Sequence, residues 1–414
     1  MEQYAQMKSS GVSWIQDVPC DWGIRVLFQL VDQVKNKNKD LAEQNLLSLS
    51  YGKIKRKDIN NPEGLLPESF DGYNIIEADD IVLRLTDLQN DHTSLRVGQA
   101  KERGIITSAY TTLRPTDMVN PQYLYYVLHA YDLIKGFYGM GSGVRQGLNY
   151  DEVKTIKIPF PSMSEQVAIV EYLDTIVDNI DSIITEQKQT IGAYKRWKKS
   201  AIFEAVTKGF REDVSLRDSG VGWIGKIPAH WRMSRIKNEL DNLDYLREPI
   251  SAENRDNKLG LYDYYGASGV IDKIDHFNVD DEVLLIGEDG ANLKMRNLPL
   301  VYRANGKIWV NNHAHILKVH SENNYSFMAY LLEAGDYNNF ITGAAQPKLS
   351  QANLMRFPIC MPPRKEQDEI SAVLDERCTQ IDSIIYEKDE LINSLEDYKR
   401  ALIYEAITGK RKVV

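Results

Sequence analysis

Glu165-Gln166, Leu173-Asp174 and Ile180-Asp181-Ser182-Ile183-Ile184 return later in the chain as Glu366-Gln367, Leu374-Asp375 and Ile381-Asp382-Ser383-Ile384-Ile385. The match runs on without a gap through Ile202/Ile403, Glu204-Ala205/Glu405-Ala406 and Thr207/Thr408. A repeat of this length decides the architecture before any single element does. Working outward, an opening motif also occurs twice at one internal spacing. Gly11-Val12-Ser13-Trp14-Ile15 with Pro19 and Trp22 answers Gly220-Val221-Gly222-Trp223-Ile224 with Pro228 and Trp231. Between these blocks the halves diverge, so the chain reads as one duplicated scaffold carrying two different payloads.

The scaffold segments predict helices. Ile169, Leu173, Ile176, Ile180 and Ile183 step by four and three, through Gln187, Thr190, Tyr194, Trp197 and Ala201. The second copy steps through Ile370, Leu374, Arg377, Ile381, Ile384, Lys388, Leu391, Leu395, Tyr398 and Leu402. Such a stripe, sustained over several heptads, predicts a coiled coil. Ser162-Met163-Ser164-Glu165 has the form of a capping box, and Pro362-Pro363 suits a helix start. Helices of about 40 residues would be roughly 60 Å long. The payloads show short strand-like runs, Asp80 to Leu85 and Asp281 to Ile286, each followed by a polar loop. The expected fold class is α+β, two globular domains separated by two long antiparallel coiled-coil helices in a pseudo-twofold repeat. Expected boundaries are 1–160 and 211–361 for the globular domains, and 161–210 and 362–414 for the helices.

Composition bounds the function without choosing it. At roughly 100–200 residues per domain, 414 residues allow two to four domains. No apolar run of about 18 residues predicts a membrane span, and the polar start predicts no secretion signal. Cys20, Cys360 and Cys378 are scattered, which fits a reducing cytoplasm and offers no metal-ligand spacing. The formal charge of -9 argues mildly against a phosphate partner, but charge clusters locally. Basic clusters stand at Lys53 to Lys57, Lys195 to Lys199 and Lys410 to Lys412.

The order of motifs resembles the specificity subunit of type I restriction-modification systems over essentially the whole chain. The opening motif carries the resemblance together with a closing one, a loop, a proline-flanked strand and Glu-Gln at a helix start. The closing motif runs through Gly141 to Gln146, Pro159-Phe160-Pro161 and Glu165-Gln166, then again through Thr342 to Lys348, Pro358 to Pro363 and Glu366-Gln367. The resemblance implies a non-catalytic subunit with two target-recognition domains, each reading half of a bipartite, asymmetric DNA site. It implies two modification subunits that methylate adenine N6 from S-adenosylmethionine, and restriction subunits using ATP and Mg as further partners. None of those cofactors is expected on this chain.

Fragments that imitate catalytic motifs carry less. Gly141-Ser142-Gly143 lacks the third glycine of a dinucleotide loop at the right place, and Asn120-Pro121-Gln122-Tyr123 reads best as a helix start after proline. Glu152-Val153-Lys154 reads as a turn; His313 and His315 lack further ligands for a metal. A self-contained methyltransferase or nuclease, or a coiled-coil adaptor, are the competing classes. The residues expected to contact DNA are Lys53, Lys55, Arg84, Arg96, Lys101 and Arg103 in the first domain, with Arg145 and Gln146 from its exit loop. In the second they are Asn292, Lys294, Arg296, Arg303, Asn312 and His313, with Gln346 and Lys348 from the exit loop.

Overall fold

The structure, a computed structural model, describes residues 4–60, 69–88, 90–91, 93–140, 147–211, 213–251, 253 and 260–413. The chain divides into two compact units, one running up to Gln187 and resuming from Asp389, the other spanning Lys188–Lys388. Four helices organise them: α1 (Pro121–Leu133), α2 (Met163–Lys208), α3 (Tyr325–Ala334) and α4 (Arg364–Ile407). Both units therefore own part of α2 and part of α4.

In the first unit the opening motif is a hairpin of Met7–Ser9 with Asp17–Pro19, turned through Gly11 at φ +67°. Ile15, Val18 and Trp22 carry its apolar side into the core. The next strand, Gly23–Val26, pairs with Lys157–Phe160 just before α2. Between them lies an antiparallel sheet of β1 (Val31–Gln33), β2 (Ile81–Leu83), β3 (Val97–Gln99) and β4 (Thr111–Pro115), in the order β1-β4-β2-β3. β2 is Ile-Val-Leu and wholly buried, as an apolar run without alternation requires.

The second unit repeats the frame. Leu216–Asp218 pairs with Lys226–Pro228, and Arg232–Arg235 with Pro358–Met361. The enclosed sheet differs. It has six strands, β5 (Leu240–Asn242), β6 (Tyr262–Gly266), β7 (Gly269–Ile274), β8 (Val279–Gly287), β9 (Val301–Val310) and β10 (Ala314–Val319), ordered β5-β10-β8-β9-β6-β7. Only β6 and β9 are parallel among its pairs.

Each unit fixes its globular part to the long helices through the same bonds. The Trp22 indole donates to Glu165 Oε1 (3.1 Å) and the Trp231 indole to Glu366 Oε2 (3.0 Å). Gln166 accepts from the Asn120 amide (2.9 Å) and donates to the Pro161 carbonyl (3.1 Å); Gln367 accepts from Asn324 (2.8 Å) and donates to Pro362 (3.0 Å). Tyr126 donates to Asp174 (2.6 Å), and Tyr330 to Asp375 (2.7 Å). Asn120 and Asn324 also cap α1 and α3, and Pro121 opens α1.

The helices run antiparallel inside each unit. In the first, Lys399 donates to Asp181 (2.5 Å), and Ile403 and Ile407 share a core with Ile169 and Leu173. In the second, Lys198 donates to both oxygens of Asp382 (2.7 and 2.6 Å), and Ile202 and Val206 share a core with Ile370 and Leu374.

Their seam departs from the heptad expected. Ile184 and Ile191 are buried, whereas Ile183 is 41% and Trp197 56% exposed. Cys378 and Ile392 are buried in place of Arg377 and Leu391, and Tyr398 is half exposed. The buried isoleucines Ile169, Ile180, Ile191 and Ile202, and likewise Ile370, Ile381, Ile392 and Ile403, recur every third turn at close to the natural helical period. A strict heptad drifts off that period, so the stripe read by fours and threes slides out of the seam along the helix.

Candidate nucleic-acid interface

In the second unit, the loop after β8 and the exit loop are laced together by their backbones. Leu349 N–H donates to the Glu288 carbonyl (2.7 Å), Gly290 N–H to Pro347 (3.0 Å) and Glu288 N–H to His313 (2.8 Å). Thr342 and Lys348 exchange backbone bonds at 2.8 Å, a tight turn in which a Cβ on Gly343 would fall 2.3 Å from the Gln346 carbonyl. The result is an open pocket of about 520 Å³ whose rim carries Asp289, Lys294, Met295, His313 and Gln346. The imidazole Nδ1 of His313 lies 2.8 Å from Asp289 Oδ2, which orients the ring. Lys294, Asn312, His313, Gln346 and Lys348 are all exposed. Three of the residues expected on DNA, Lys294, His313 and Gln346, thus stand around one opening.

Beneath it lies a charged cluster. His315, fully buried on β10, sits between Asp244 Oδ2 (2.6 Å from Nδ1) and the Leu349 carbonyl (2.7 Å from Nε2). Arg247 bonds Glu288 and lies 3.3 Å from Asp244, and Lys348 reaches Glu288 at 2.9 Å. Burial pushes the Asp244 carboxyl up, but the His315 hydrogen bond and charge outweigh it and hold it below the ordinary range. Burial likewise raises Glu288, and hydrogen bonds from Arg247 and Lys348 bring it below its usual value. Sequence alone did not mark Asp244, Arg247, Glu288 or Asp289, since they come from separate segments and acquire meaning only when paired.

Other expected residues serve the fold. Asn292 donates to the Leu298 and Pro299 carbonyls (3.2 and 3.1 Å) and accepts from the Leu298 amide (2.9 Å). Arg296 bonds the carbonyls of Glu333 and Gly335, and Arg303 pairs with Asp375 (3.1 Å) over the Tyr330 ring (4.5 Å).

In the first unit Lys53 and Lys55 are exposed on the strand Lys53–Arg56. Arg56 pairs with Glu102, bringing that strand beside Lys101 and Arg103. Lys101 donates to Gln99 (2.7 Å) and Gln122 (3.2 Å), while Arg103 is paired with Glu43 (3.0 Å) and Glu77 and still half exposed. Arg84 lies 3.7 Å from Asp91. Arg96 is different. Its side chain is wholly buried and donates to the carbonyls of Thr86 (2.6 Å), Asp87 (3.2 Å) and Asp91 and to Tyr138 (3.2 Å), so it folds the loop instead of facing outward. Arg145 and Gln146 lie outside the described residues.

No cluster of three His, Cys, Asp or Glu side chains placed for a metal occurs among the described residues. No described helix is long and apolar enough to cross a membrane. What the geometry offers is two polar, partly basic loop surfaces on separate sheets, each mounted by the same bonds.

The family described as type I restriction modification DNA specificity domain matches this sequence twice, over residues 28–193 and 231–396. The chain belongs to it. Each match takes in a globular part and most of the helix that follows. A type I restriction enzyme specificity subunit of Methanocaldococcus jannaschii, MjaVIII, is 23% identical over 424 aligned residues, 96% of this chain and 94% of that one. A provisionally named specificity subunit of Haemophilus influenzae is 31% identical over 148 residues, 36% of this chain and 37% of its own length. A solved chain from a study of type I restriction-modification complex assembly covers 94% of this chain and 98% of its own at 13% identity and TM-score 0.70, which establishes the shared fold. As a specificity subunit the chain contributes DNA recognition to a restriction-modification system, not its catalysis.

Proposed function

We propose that this specificity subunit reads a bipartite, non-palindromic duplex, with 1–160 and 211–361 as recognition domains and 161–210 and 362–414 as the helices between them. The observation that carries the reading is identical mounting of unlike sheets. Trp22–Glu165, Gln166–Asn120 and Tyr126–Asp174 recur as Trp231–Glu366, Gln367–Asn324 and Tyr330–Asp375, yet one sheet has four strands and the other six. Equal mounts give two readers equivalent frames, and unequal readers give an asymmetric target.

Lys53, Lys55, Arg84, Lys101 and Arg103 would contact the first half-site, with Arg145 and Gln146. Lys294, Asn312, His313, Gln346 and Lys348 would contact the second. Exposed lysines and arginines supply affinity through phosphates; Gln346 and His313 have the donors and acceptors to read base edges. Arg96, Asn292, Arg296 and Arg303 act from behind, by shaping the loops that do so. Two modification subunits would methylate adenine N6 with S-adenosylmethionine, restriction subunits with ATP and Mg would complete the system, and the complex would work in the cytoplasm.

Mapping N6-methyladenine across the genome, with and without this chain and with its modification subunit present in both, tests the proposal. The expected result is loss of one asymmetric two-part motif. Unchanged methylation would reject the reading.

A further inference from the structure

His315 has acceptors at both ring nitrogens. Nδ1 meets the Asp244 carboxylate at 2.6 Å and Nε2 meets the Leu349 carbonyl at 2.7 Å, and a carbonyl has no proton to give. Both contacts are hydrogen bonds only if both nitrogens carry protons, which makes the ring an imidazolium. The charged groups around it suit that state: Asp244 from the segment after β5, Glu288 at 4.0 Å from the loop after β8, with Arg247 and Lys348 balancing Glu288. The ring is wholly buried and spans three segments distant in sequence.

Leu349 is the hinge of this arrangement. Its carbonyl accepts a hydrogen bond from the imidazolium Nε2–H while its amide donates to the carbonyl of Glu288, the residue before Asp289 on the pocket rim. Removing one proton would leave a nitrogen lone pair facing an oxygen at 2.7 Å, which repels. Asp244, the stronger acceptor, keeps Nδ1–H, so the carbonyl of Leu349 must move and the exit loop with it. We propose that His315 is a positioning residue whose doubly protonated ring holds the exit loop in register, so that the second unit discriminates its half-site only while that charge persists. This rests on the DNA-reading function proposed above and adds a pH dependence confined to one half of the target. In the first unit a guanidinium, that of Arg96, holds the loop after β2 through the carbonyls of Thr86 and Asp87.

The test uses the assembled methyltransferase with duplexes changed at one base in either half-site, comparing kcat/KM with the unchanged duplex from pH 6 to 9. The half-site belonging to the second unit is the one whose discrimination Gln346→Ala weakens. Discrimination there is expected to fall about tenfold as pH rises, the equivalent of one charge-assisted hydrogen bond, with the other half-site unmoved. Asp244→Asn is expected to flatten the profile: its amide can donate to a neutral Nδ1, leaving Nε2–H for Leu349 without the extra proton. In wild-type protein, hydrogen-exchange protection of the Leu349 and Gly290 amides should decline over the same range. Discrimination that declines equally in both half-sites or in neither, or a slope that survives in Asp244→Asn, overturns the inference while the methylated motif stands. Absence of any site-specific methylation overturns the proposed function and the inference together.

Discussion

At the scale of single residues, two groups on α1, the partly buried His129 and the buried Asp132, pull the first unit's stability in opposite directions with pH. Burial lowers His129 from 6.5 to about 4, with Lys399 adding to the effect and Asp181 opposing it. The folded unit therefore holds fewer protons than the unfolded chain between pH 4 and 6.5; this contribution is complete above 6.5 and lost as pH falls toward 4. Burial raises Asp132 from 3.8 to about 6 against the Arg96 amide at 2.5 Å, so its contribution is complete below 3.8 and lost as pH rises through 6. Each effect is on the order of 3 kcal/mol, and between pH 4 and 6 they nearly cancel. His129→Phe, which keeps the stacking on Tyr125, should gain Tm relative to wild type as pH falls from 6.5 to 4. Asp132→Asn should gain relative to wild type as pH rises from 4 to 6. Parallel Tm curves for the three proteins would refute the assignment. Residue chemistry at this scale was only partly legible beforehand. Lys53 and Arg96 look alike in a basic-residue survey, yet Arg96 is taken inward by carbonyls of the loop preceding it, a match of geometry with no sequence signature.

Elements were legible to different degrees. The long helices followed from their repeat, and capping by Ser162 is visible in the hydrogen bond its hydroxyl accepts from the Glu165 amide (3.3 Å). The buried face of those helices was misread by a fraction of a turn, because heptad stepping and natural helical stepping agree at Ile169, Leu173 and Ile180 and separate beyond. That separation gives a sharp comparison within the first unit. Ile180→Ala opens a cavity at a 6% exposed position and should cost about 2–4 kcal/mol in urea unfolding. Ile183→Ala, at 41% exposure, should stay within about 0.5 kcal/mol. Equal losses at the two positions would restore the heptad seam. The six-stranded sheet of the second unit, by contrast, could not be read from its strands. β9 carries Asn305-Gly306-Lys307 in mid-run, which suggests a turn; its pairing with β8 continues through all three, with Gly306 taking φ +80° inside the strand.

At the scale of the whole molecule, duplication leaves an asymmetry in how the two units are completed. The end of α2 closes on the second opening motif within continuous chain, where Gly209 approaches the Trp231 ring so nearly that a Cβ would lie 3.2 Å from it. The first opening motif takes the end of α4. Tyr404 donates to the Trp14 carbonyl (2.8 Å), Lys410 to Ile15 (2.6 Å), and a Cβ on Gly409 would strike Pro19 at 2.2 Å. Ile407, fully buried, completes the core around Trp22 and Leu173. Ending the chain before Ile407 removes that side chain and the Lys410 clasp, while Ile403 and Ala406 remain. Loss of one buried isoleucine costs about 2–5 kcal/mol, a large share of a marginal stability. Hydrogen exchange on the truncated chain should therefore show raised exchange across the sheet β1–β4 and α1, with β5–β10 and α3 keeping wild-type protection. Uniform loss across both sheets would mean that the end of α4 supports the molecule as a whole, and the division into two separately completed units would fail.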